Sequence, residues 1–246
     1  MGEAGMNIAL IFAGGTGQRM NSRTRPKQFL ELNGKPILIH TLEHFEVHPD
    51  IDGIVVVCLK DWIGYLEELA DRFRIRKLRW IVEGGATGQE SIRNGLYELD
   101  RDESVPKGSV ILIHDGVRPL ITADLITRNI ETAHEFGNAI TVTPATETII
   151  RVSAGREVSD IVDRSVCMLA RAPQTFVLSD ILAAHRRAAE DNYREAIDSA
   201  TLMTHYGASL HIVEGPVENI KITTPADFYI FRAITEAREN SQIWGL

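Results

Sequence analysis

The sequence predicts an α/β fold in which a Rossmann-like, mostly parallel sheet is flanked by helices. Five apolar, strand-like runs each stand beside a segment with helical periodicity, a pattern typical of a parallel sheet covered on both faces. The chain has 246 residues and a hydrophobic content of 44%, which is enough for one large core. Because no repeat, low-complexity tract or linker is visible, a single domain over residues 6–240 is expected.

The elements alternate along the chain. Helices are also expected at 179–191 and 197–206, a strand at 209–213, and a last helix after Pro225, whereas no element is assigned between 165 and 178. Ligands bind at the carboxyl edge of such sheets, where several distinctive segments follow the strands. The predicted strands are residues 8–12, 53–59, 78–82, 110–113 and 139–142, and the predicted helices are residues 36–45, 62–73, 91–99 and 123–136.

A glycine-rich turn, Ala13-Gly14-Gly15-Thr16-Gly17, ends the first predicted strand. A loop of this kind presents bare backbone N–H groups, which suit phosphate oxygens. Two cations follow, a forked guanidinium at Arg19 and a mobile ammonium at Lys27. Together they are suited to neutralise a bound triphosphate.

Other glycine-rich motifs fit this turn less well. A dinucleotide fingerprint needs a third glycine where Met20 stands, and a Walker A loop needs Lys and Ser or Thr where Gln18 and Arg19 follow Gly17. An ordinary strand-to-loop turn with solvated Arg and Lys is the remaining alternative.

A β-hairpin is predicted late in the chain. Residues 146–152 and 157–164 alternate in polarity around the turn Ser153-Ala154-Gly155-Arg156. An isolated two-stranded ribbon is marginal in water, so we expect this arm, residues 147–164, to lie on a second subunit. Residues 1–5 are interpreted as a leader or an expression remnant.

Composition excludes several classes of protein. A net charge of −8 argues against a general nucleic-acid binder. Neither a signal peptide nor an apolar run of about 20 residues is present, so a soluble, cytoplasmic protein without a membrane partner is expected. The two cysteines, Cys58 and Cys167, are expected to be buried apolar thiols in a reducing compartment.

Further motifs follow the glycine loop in a fixed order. With that loop, they resemble the cytidylyltransferases that make CDP-linked sugar alcohols, and the resemblance runs from about Met6 to the last helix. This group contains the 2-C-methyl-D-erythritol 4-phosphate cytidylyltransferases of isoprenoid synthesis and the ribitol-5-phosphate cytidylyltransferases of wall and capsule synthesis. The motifs are Pro26-Lys27-Gln28, Gly84-Gly85-Ala86-Thr87-Gly88-Gln89-Glu90-Ser91, His114-Asp115-Gly116-Val117-Arg118-Pro119, Pro173-Gln174 and Asn219-Ile220-Lys221-Ile222-Thr223.

The resemblance implies a fold of the nucleotide-diphospho-sugar transferase type and transfer of CMP from CTP to a sugar-alcohol phosphate, with release of pyrophosphate. It assigns Arg19 and Lys27 to the triphosphate and to the pentavalent phosphorus, which Lys221 also reaches. Asp115 would bind Mg²⁺. Because the attacking phosphate oxygen is already an anion, no general base is required.

Two further sets of residues are implied by the resemblance. The nucleotide would be bound by the glycine loop and Asp115, with cytosine read near Gly14 and Gly85 and by the Ser91 hydroxyl. The acceptor phosphate would contact Arg118 and Lys221 of one chain, together with arm residues of the other subunit of a homodimer. The nucleotide set is Ala13, Gly14, Gly15, Gly17, Gly85, Ser91 and Asp115, and the arm residues are Thr148 and Arg164.

The sequence leaves alternatives open. Ala86 replaces a usual acidic residue and Ala172 a usual threonine, whereas Gly14 and Val117 are closer to the ribitol-phosphate branch. The two acceptors remain nearly even. A catalytically silent nucleotide sensor on the same fold is the rival function. Individually, four site residues have ordinary readings: Lys27 and Lys221 as surface lysines, Asp115 as a turn residue before Gly116, and Arg164 as a surface pair with Asp163.

Overall fold

A computed structural model of the chain describes residues 5–14 and 25–244, with side chains through residue 240. Within these ranges it contains eleven strands and seven α-helices. The strands are β1 (Asn7–Ala13), β2 (Glu31–Leu32), β3 (Lys35–Pro36), β4 (Gly53–Cys58), β5 (Leu78–Glu83), β6 (Val110–Asp115), β7 (Asn138–Pro144), β8 (Ile149–Val152), β9 (Val158–Val162), β10 (Met168–Val177) and β11 (Ile212–Glu214). The helices are α1 (Ile37–Glu46), α2 (Ile63–Phe73), α3 (Gly88–Arg101), α4 (Ala123–Phe136), α5 (Leu178–Glu190), α6 (Ser199–His205) and α7 (Pro225–Trp244).

Seven strands form the central sheet, in the order β11-β7-β10-β6-β1-β4-β5. The pairs β1 with β4, β1 with β6, β4 with β5 and β7 with β11 are parallel, which confirms the predicted α/β fold. Most predicted elements shift by a few residues at their ends. The strand expected at residues 209–213 begins later, at Ile212, because residues 209–211 only lead into it.

One central strand was not predicted from the sequence. No element is predicted between residues 165 and 178, but β10 lies antiparallel between β6 and β7. Arg171 and Pro173 interrupt its apolar pattern, and a proline usually argues against a central strand. The strand tolerates Pro173 because its register with β7 shifts between Ala170 and Gln174, where no ladder pairing is recorded.

Alternate residues of β1 point into two cores. Ala9 and Ile11 face a core that includes residues of α1, α2 and α4, whereas Ile8 and Leu10 face one that includes residues of α3, α5 and α6. All four side chains are fully buried. A strand covered on both faces has a continuous apolar sequence, which explains why β1 could be predicted from the sequence.

A third, smaller cluster joins the end of the chain to the loop after β6. Val117 and Leu120 pack with Ile222 and with Phe231 of α7. The backbone N–H of Ile222 donates to the Val117 carbonyl at 2.9 Å. This cluster fixes the C-terminal segment beside the carboxyl end of β6.

The predicted hairpin is present as β8 and β9, an antiparallel pair separate from the central sheet. Its apolar side chains are uncovered in this single chain, with Ile161 67% and Val152 62% exposed. Cys167, just beyond the hairpin, is half-buried, so the expectation of a buried thiol is wrong there. It is correct for Cys58, where burial raises the thiol pKa to about 11.

Within the described ranges, no helix combines the length and the apolar character that a bilayer crossing requires.

Candidate active site

A cavity of about 210 Å³ opens at the carboxyl edge of the central sheet. Phe12 at the end of β1 and Asp115 at the end of β6 line its floor, and the start of α3 contributes Gln89. This is where an open α/β sheet binds its ligands. The cavity brings together three of the predicted site residues, Asp115, Arg118 and Lys221.

Asp115 lies at the centre of a charged triad. Its Oδ2 accepts a hydrogen bond from Arg118 Nε at 2.7 Å, and its Oδ1 pairs with Lys221 Nζ at 2.6 Å. The carboxylate and the guanidinium are both buried, whereas the Lys221 side chain is 40% exposed. Lys221 is therefore the member of the triad that can turn toward a substrate most easily.

The triad holds its charge at neutral pH. Burial alone would raise the pKa of Asp115, but the charges of Arg118 and Lys221, with their hydrogen bonds, outweigh burial and lower that pKa to about 2. One anion and two cations thus meet at the sheet edge, and the triad carries a net positive charge. Such a centre attracts phosphate groups.

Arg118 is fixed from several sides. Its Nη1 donates to the carbonyl of Asn219 at 2.9 Å, and its own carbonyl lies 3.2 Å from His114 Nε2. Burial lowers the pKa of His114 to about 3, so this ring is neutral at pH 7. Asn219 is held in turn, because its Nδ2 donates to the carbonyl of Ala172 at 2.7 Å. The Arg118 guanidinium is therefore held in a fixed orientation before any ligand binds.

The loop between β5 and α3 lies close to the end of β1. Ser91 Oγ accepts from the N–H of Gly85 at 3.1 Å and donates to the carbonyl of Thr87 at 2.9 Å. A Cβ added to Gly14 would come within 3.0 Å of that same oxygen. The absence of a side chain at Gly14 lets the two segments approach, and the Ser91 hydroxyl holds the shape of the loop.

Lys27 lies in a short 3-10 helix, Lys27–Phe29, next to the end of β1. Gln28 Nε2 donates to the carbonyl of Ala13 at 2.5 Å, and the Phe29 ring stacks on Trp62 with centroids 4.9 Å apart. These contacts attach the lysine's backbone to the strand that carries the glycine turn. The other predicted residues of that turn, Gly15, Gly17 and Arg19, lie outside the described residues.

The two arm residues are not in this cavity. Arg164 is exposed and its Nη1 donates to the carbonyl of Thr146 at 2.7 Å, while Thr148 is exposed ahead of β8. Neither side chain lines the cavity of its own chain. Their assignment to the site of a second subunit stays a prediction.

The side chains around Asp115 offer few ligands for Mg²⁺. The described residues contain no group of three Asp, Glu, His or Cys side chains able to hold a metal. Asp115 is the one predicted ligand, and both of its oxygens already face cations. A single carboxylate suits Mg²⁺ only when phosphate oxygens and water supply the other ligands.

Sequence reasoning missed part of the cavity wall. Arg171 from β10 and Asp198, which precedes α6, line it, together with Gln174, which the sequence analysis named as part of a motif without giving it a role. Gln174 bridges the two elements, since its Nε2 donates to Asp198 Oδ2 at 2.8 Å and its Oε1 accepts from Ala200 N at 2.9 Å. A charged residue two places before Pro173-Gln174 was the available signal for Arg171.

This combination of fold and site defines a class of enzyme. A mostly parallel sheet presents a preformed, net positive triad at its carboxyl edge, and the segment that carries Lys27 is attached to the end of the neighbouring strand β1. These parts suit transfer of a phosphorus group between anionic substrates, a reaction helped mainly by positioning and charge. The class is that of the nucleotidyltransferases.

Comparison with known proteins gives the family. The family described as IspD, 2-C-methyl-D-erythritol 4-phosphate cytidylyltransferase, matches residues 7–237. The chain is 54% identical to a ribitol-5-phosphate cytidylyltransferase of Vibrio parahaemolyticus, over 98% of this chain and all of that protein. It is 37% identical to a 2-C-methyl-D-erythritol 4-phosphate cytidylyltransferase of Syntrophus aciditrophicus, over 94% of this chain and 97% of that one.

A solved structure gives the same result. The 4-diphosphocytidyl-2C-methyl-D-erythritol synthase of Anaerococcus prevotii superposes with a TM-score of 0.81 at 26% identity, covering 94% of this chain and 96% of that one. The chain belongs to the IspD family of cytidylyltransferases. It is therefore an enzyme that transfers a cytidylyl group from CTP to a sugar-alcohol phosphate, and nothing in the comparisons supports the alternative of a silent sensor.

Proposed function

We propose that the acceptor is D-ribitol 5-phosphate, so that the enzyme makes CDP-ribitol and pyrophosphate. The observation that carries this proposal is the 54% identity, over both full lengths, to a relative named for that activity. The relative named for methylerythritol phosphate is 37% identical. Gly14 and Val117, interpreted from the sequence as closer to the ribitol branch, point the same way.

The chemistry follows from the charges. A phosphate oxygen of the acceptor attacks the α-phosphorus of CTP, a new P–O bond forms, and the bond to the bridging oxygen breaks as pyrophosphate leaves. Lys221 and Arg118 hold the incoming phosphate while Asp115 keeps both cations in place. Lys27 and Arg19 stabilise the charge that builds on the triphosphate.

We further propose that Mg²⁺ enters with the triphosphate. Phosphate oxygens would supply most of its ligands, and Asp115 would contribute a carboxylate only by exchanging one of its present cationic partners. The ion would neutralise charge on the nucleotide. Asp115 meanwhile holds Arg118 through a second oxygen.

A homodimer in the cytoplasm completes the proposal. The exposed apolar residues of β8 and β9, including Ile150 and Ile161, would be covered by the second subunit. The arm would then carry Thr148 and Arg164 to the partner's acceptor phosphate. This arrangement is supported by their exposure and by their absence from the cavity of their own chain.

A substrate panel tests the proposed function. Pyrophosphate release is measured with each of the four nucleoside triphosphates, crossed with D-ribitol 5-phosphate and 2-C-methyl-D-erythritol 4-phosphate, with and without Mg²⁺. We expect release only with CTP, ribitol 5-phosphate and Mg²⁺ together. Equal or greater kcat/KM with methylerythritol phosphate would overturn the acceptor assignment.

A further inference from the structure

Arg171 differs from the other cations that line the cavity. It has no ion-pair partner among the described residues, and its hydrogen bond there runs from Nε to the neutral Thr143 Oγ1 at 3.3 Å. Arg118 and Lys221, by contrast, both pair with Asp115. Arg171 therefore adds a second positive charge to that of the triad, and this one has no paired carboxylate among the described residues.

The position of this guanidinium is energetically demanding. The side chain is half-buried, and burial followed by the like charge of Arg118 lowers its pKa below the usual range. A desolvated cation beside another cation is costly unless an anion arrives. Asp198, the other acidic residue of the cavity wall besides Asp115, forms no ion pair with Arg171 in the described structure, and its oxygens accept from Gln174 and Thr201.

The remaining donors of the cavity are largely committed. Arg118 uses Nε for Asp115 and Nη1 for the Asn219 carbonyl, and Lys221 donates to Asp115. Arg171 uses only Nε in its recorded bond, so its two terminal nitrogens remain available within the described structure. A planar fork of N–H groups matches two oxygens of a phosphate.

We propose that Arg171 binds the phosphate of the acceptor and determines the affinity for it. This inference rests on the proposed function. The acceptor is favoured over CTP because Arg171 shares the cavity with both residues of this chain assigned to the acceptor phosphate, Arg118 and Lys221, whereas Asp115 is the only one of the described nucleotide residues that lines it. A volume of about 210 Å³ also suits a small polyol phosphate better than a nucleotide.

The test compares Arg171→Gln, Arg171→Lys and the matched control Arg76→Gln, which removes the same charge from an exposed turn before β5. A charge-assisted hydrogen bond contributes about 1.5–3 kcal/mol, so Arg171→Gln should raise KM for ribitol 5-phosphate by about 10- to 100-fold. KM for CTP should stay within about twofold. Arg171→Lys should recover part of the loss, because it restores the charge without the fork.

A second measurement separates binding from folding. Without substrates, Arg171→Gln should unfold at the same temperature as wild type or higher, because a like-charge contact with Arg118 is removed. Inorganic phosphate should raise the melting temperature of wild type and of Arg76→Gln, but not that of Arg171→Gln. A lower melting temperature of Arg171→Gln without ligand, with unchanged KM values, would identify a structural residue and overturn the proposal.

Two other outcomes are informative. A rise in KM for CTP with an unchanged acceptor KM would assign Arg171 to the nucleotide and overturn the proposal. If wild type were inactive across the whole panel, the proposed function would be wrong, and binding of the acceptor by Arg171 would then be tested by the thermal shift that ribitol 5-phosphate alone causes. A shift in wild type that is lost in Arg171→Gln would support the inference, and no shift in wild type would reject it.

Discussion

The sheet-edge cavity and the hairpin arm differ in what they bury: the cavity buries charged side chains, whereas the arm leaves apolar side chains exposed. In the cavity, buried charges are paired within the chain, since Asp115 contacts both Arg118 and Lys221. On the arm, apolar side chains such as Ile161 are exposed, and the ion pair between Arg151 and Asp160 is solvated. The buried Asp115 thus finds its ion-pair partners within one chain, whereas the arm still has apolar surface to cover.

The two regions therefore differ in which interactions contribute to their stability. A buried ion pair is costly to break because the surviving charge keeps its desolvation penalty, whereas a surface pair contributes little. Apolar surface on a ribbon contributes only when something covers it. Substitutions in the cavity should therefore affect the single chain, and substitutions on the arm should affect assembly.

The largest effect is expected for Asp115→Asn. It removes the anion between two cations and leaves the buried Arg118 without a counterion, so the free energy of unfolding should fall by about 3 kcal/mol. Asp160→Asn on the arm is the matched control and should change it by less than about 0.5 kcal/mol. Urea unfolding followed by circular dichroism measures both. Equal effects would erase the distinction between the two regions.

The next prediction concerns Lys27→Ala and Arg164→Ala. Lys27→Ala should lower kcat by roughly 100-fold, because it removes a cation that acts on charge in the transition state. Arg164→Ala should lower kcat/KM for the acceptor, because it removes a contact to the acceptor phosphate. If the arm completes the partner's site, a mixture of the two variants should recover up to about a quarter of wild-type activity, since half of the dimers then contain one intact site. Activity is measured after subunit exchange has been verified by mass.

A mixture as inactive as its parents would reject the shared site and return Arg164 to a surface position. A mixture of Lys27→Ala with Arg19→Ala is the control. Both of these residues belong to the nucleotide side of one chain, so no recovery is expected from that pair.

Acid should destabilise the sheet rather than the arm. Burial lowers the pKa of His114 to about 3 and that of His185 to about 4, below the value of about 6.5 expected in the unfolded chain. Both rings thus contribute stability that is complete above pH 6.5 and is lost progressively below it, because the unfolded state binds more protons. Between pH 7 and 5.5 the loss should be about 1 kcal/mol for each ring.

The measurement is a series of urea unfolding curves across that pH range. His185→Leu should make the dependence shallower by about half, whereas a hairpin variant such as Asp160→Asn should leave the slope unchanged. An unchanged slope in His185→Leu would show that this ring does not titrate as its burial implies.

The smallest effect is expected for Ile161→Ser. Because this side chain is 67% exposed in one chain, the stability of the monomer should change by less than about 0.5 kcal/mol. The dissociation constant of the dimer should rise about tenfold if the residue is buried by the partner. Val47→Ser, at a position 77% exposed beside α1, is the control and should leave sedimentation unchanged.

The sequence predicted the fold where local signals agree with tertiary structure. Strand β1 is covered on both faces and reads as an uninterrupted apolar run, and Thr122 caps α4 as side chains of its type do. Strand β10 was missed because a proline usually argues against a central strand. Pro173 is tolerated there because the register with β7 shifts around it. Such a shift depends on the neighbouring strand, which no short segment of sequence encodes.

The site was predictable to a similar extent. The motifs located Asp115, Arg118 and Lys221, and the structure brings them together. Their pairing with one another was not foreseen, because it depends on the angle at which the C-terminal segment returns to β6. Arg171 was missed because its neighbours come from other segments, Thr143 from β7 through a hydrogen bond and Arg118 from the loop after β6 through its charge.

The order in which the chain is made gives the triad a further consequence. Asp115 and Arg118 emerge from the ribosome about a hundred residues before Asn219 and Lys221, which complete their hydrogen bonds. All seven strands of the main sheet end by Glu214, so a nascent chain can assemble the sheet before it holds its second cation. A polypeptide truncated after Glu214 would retain every strand of that sheet and still have no lysine beside Asp115. The triad is therefore completed only when the C-terminal segment has been synthesised.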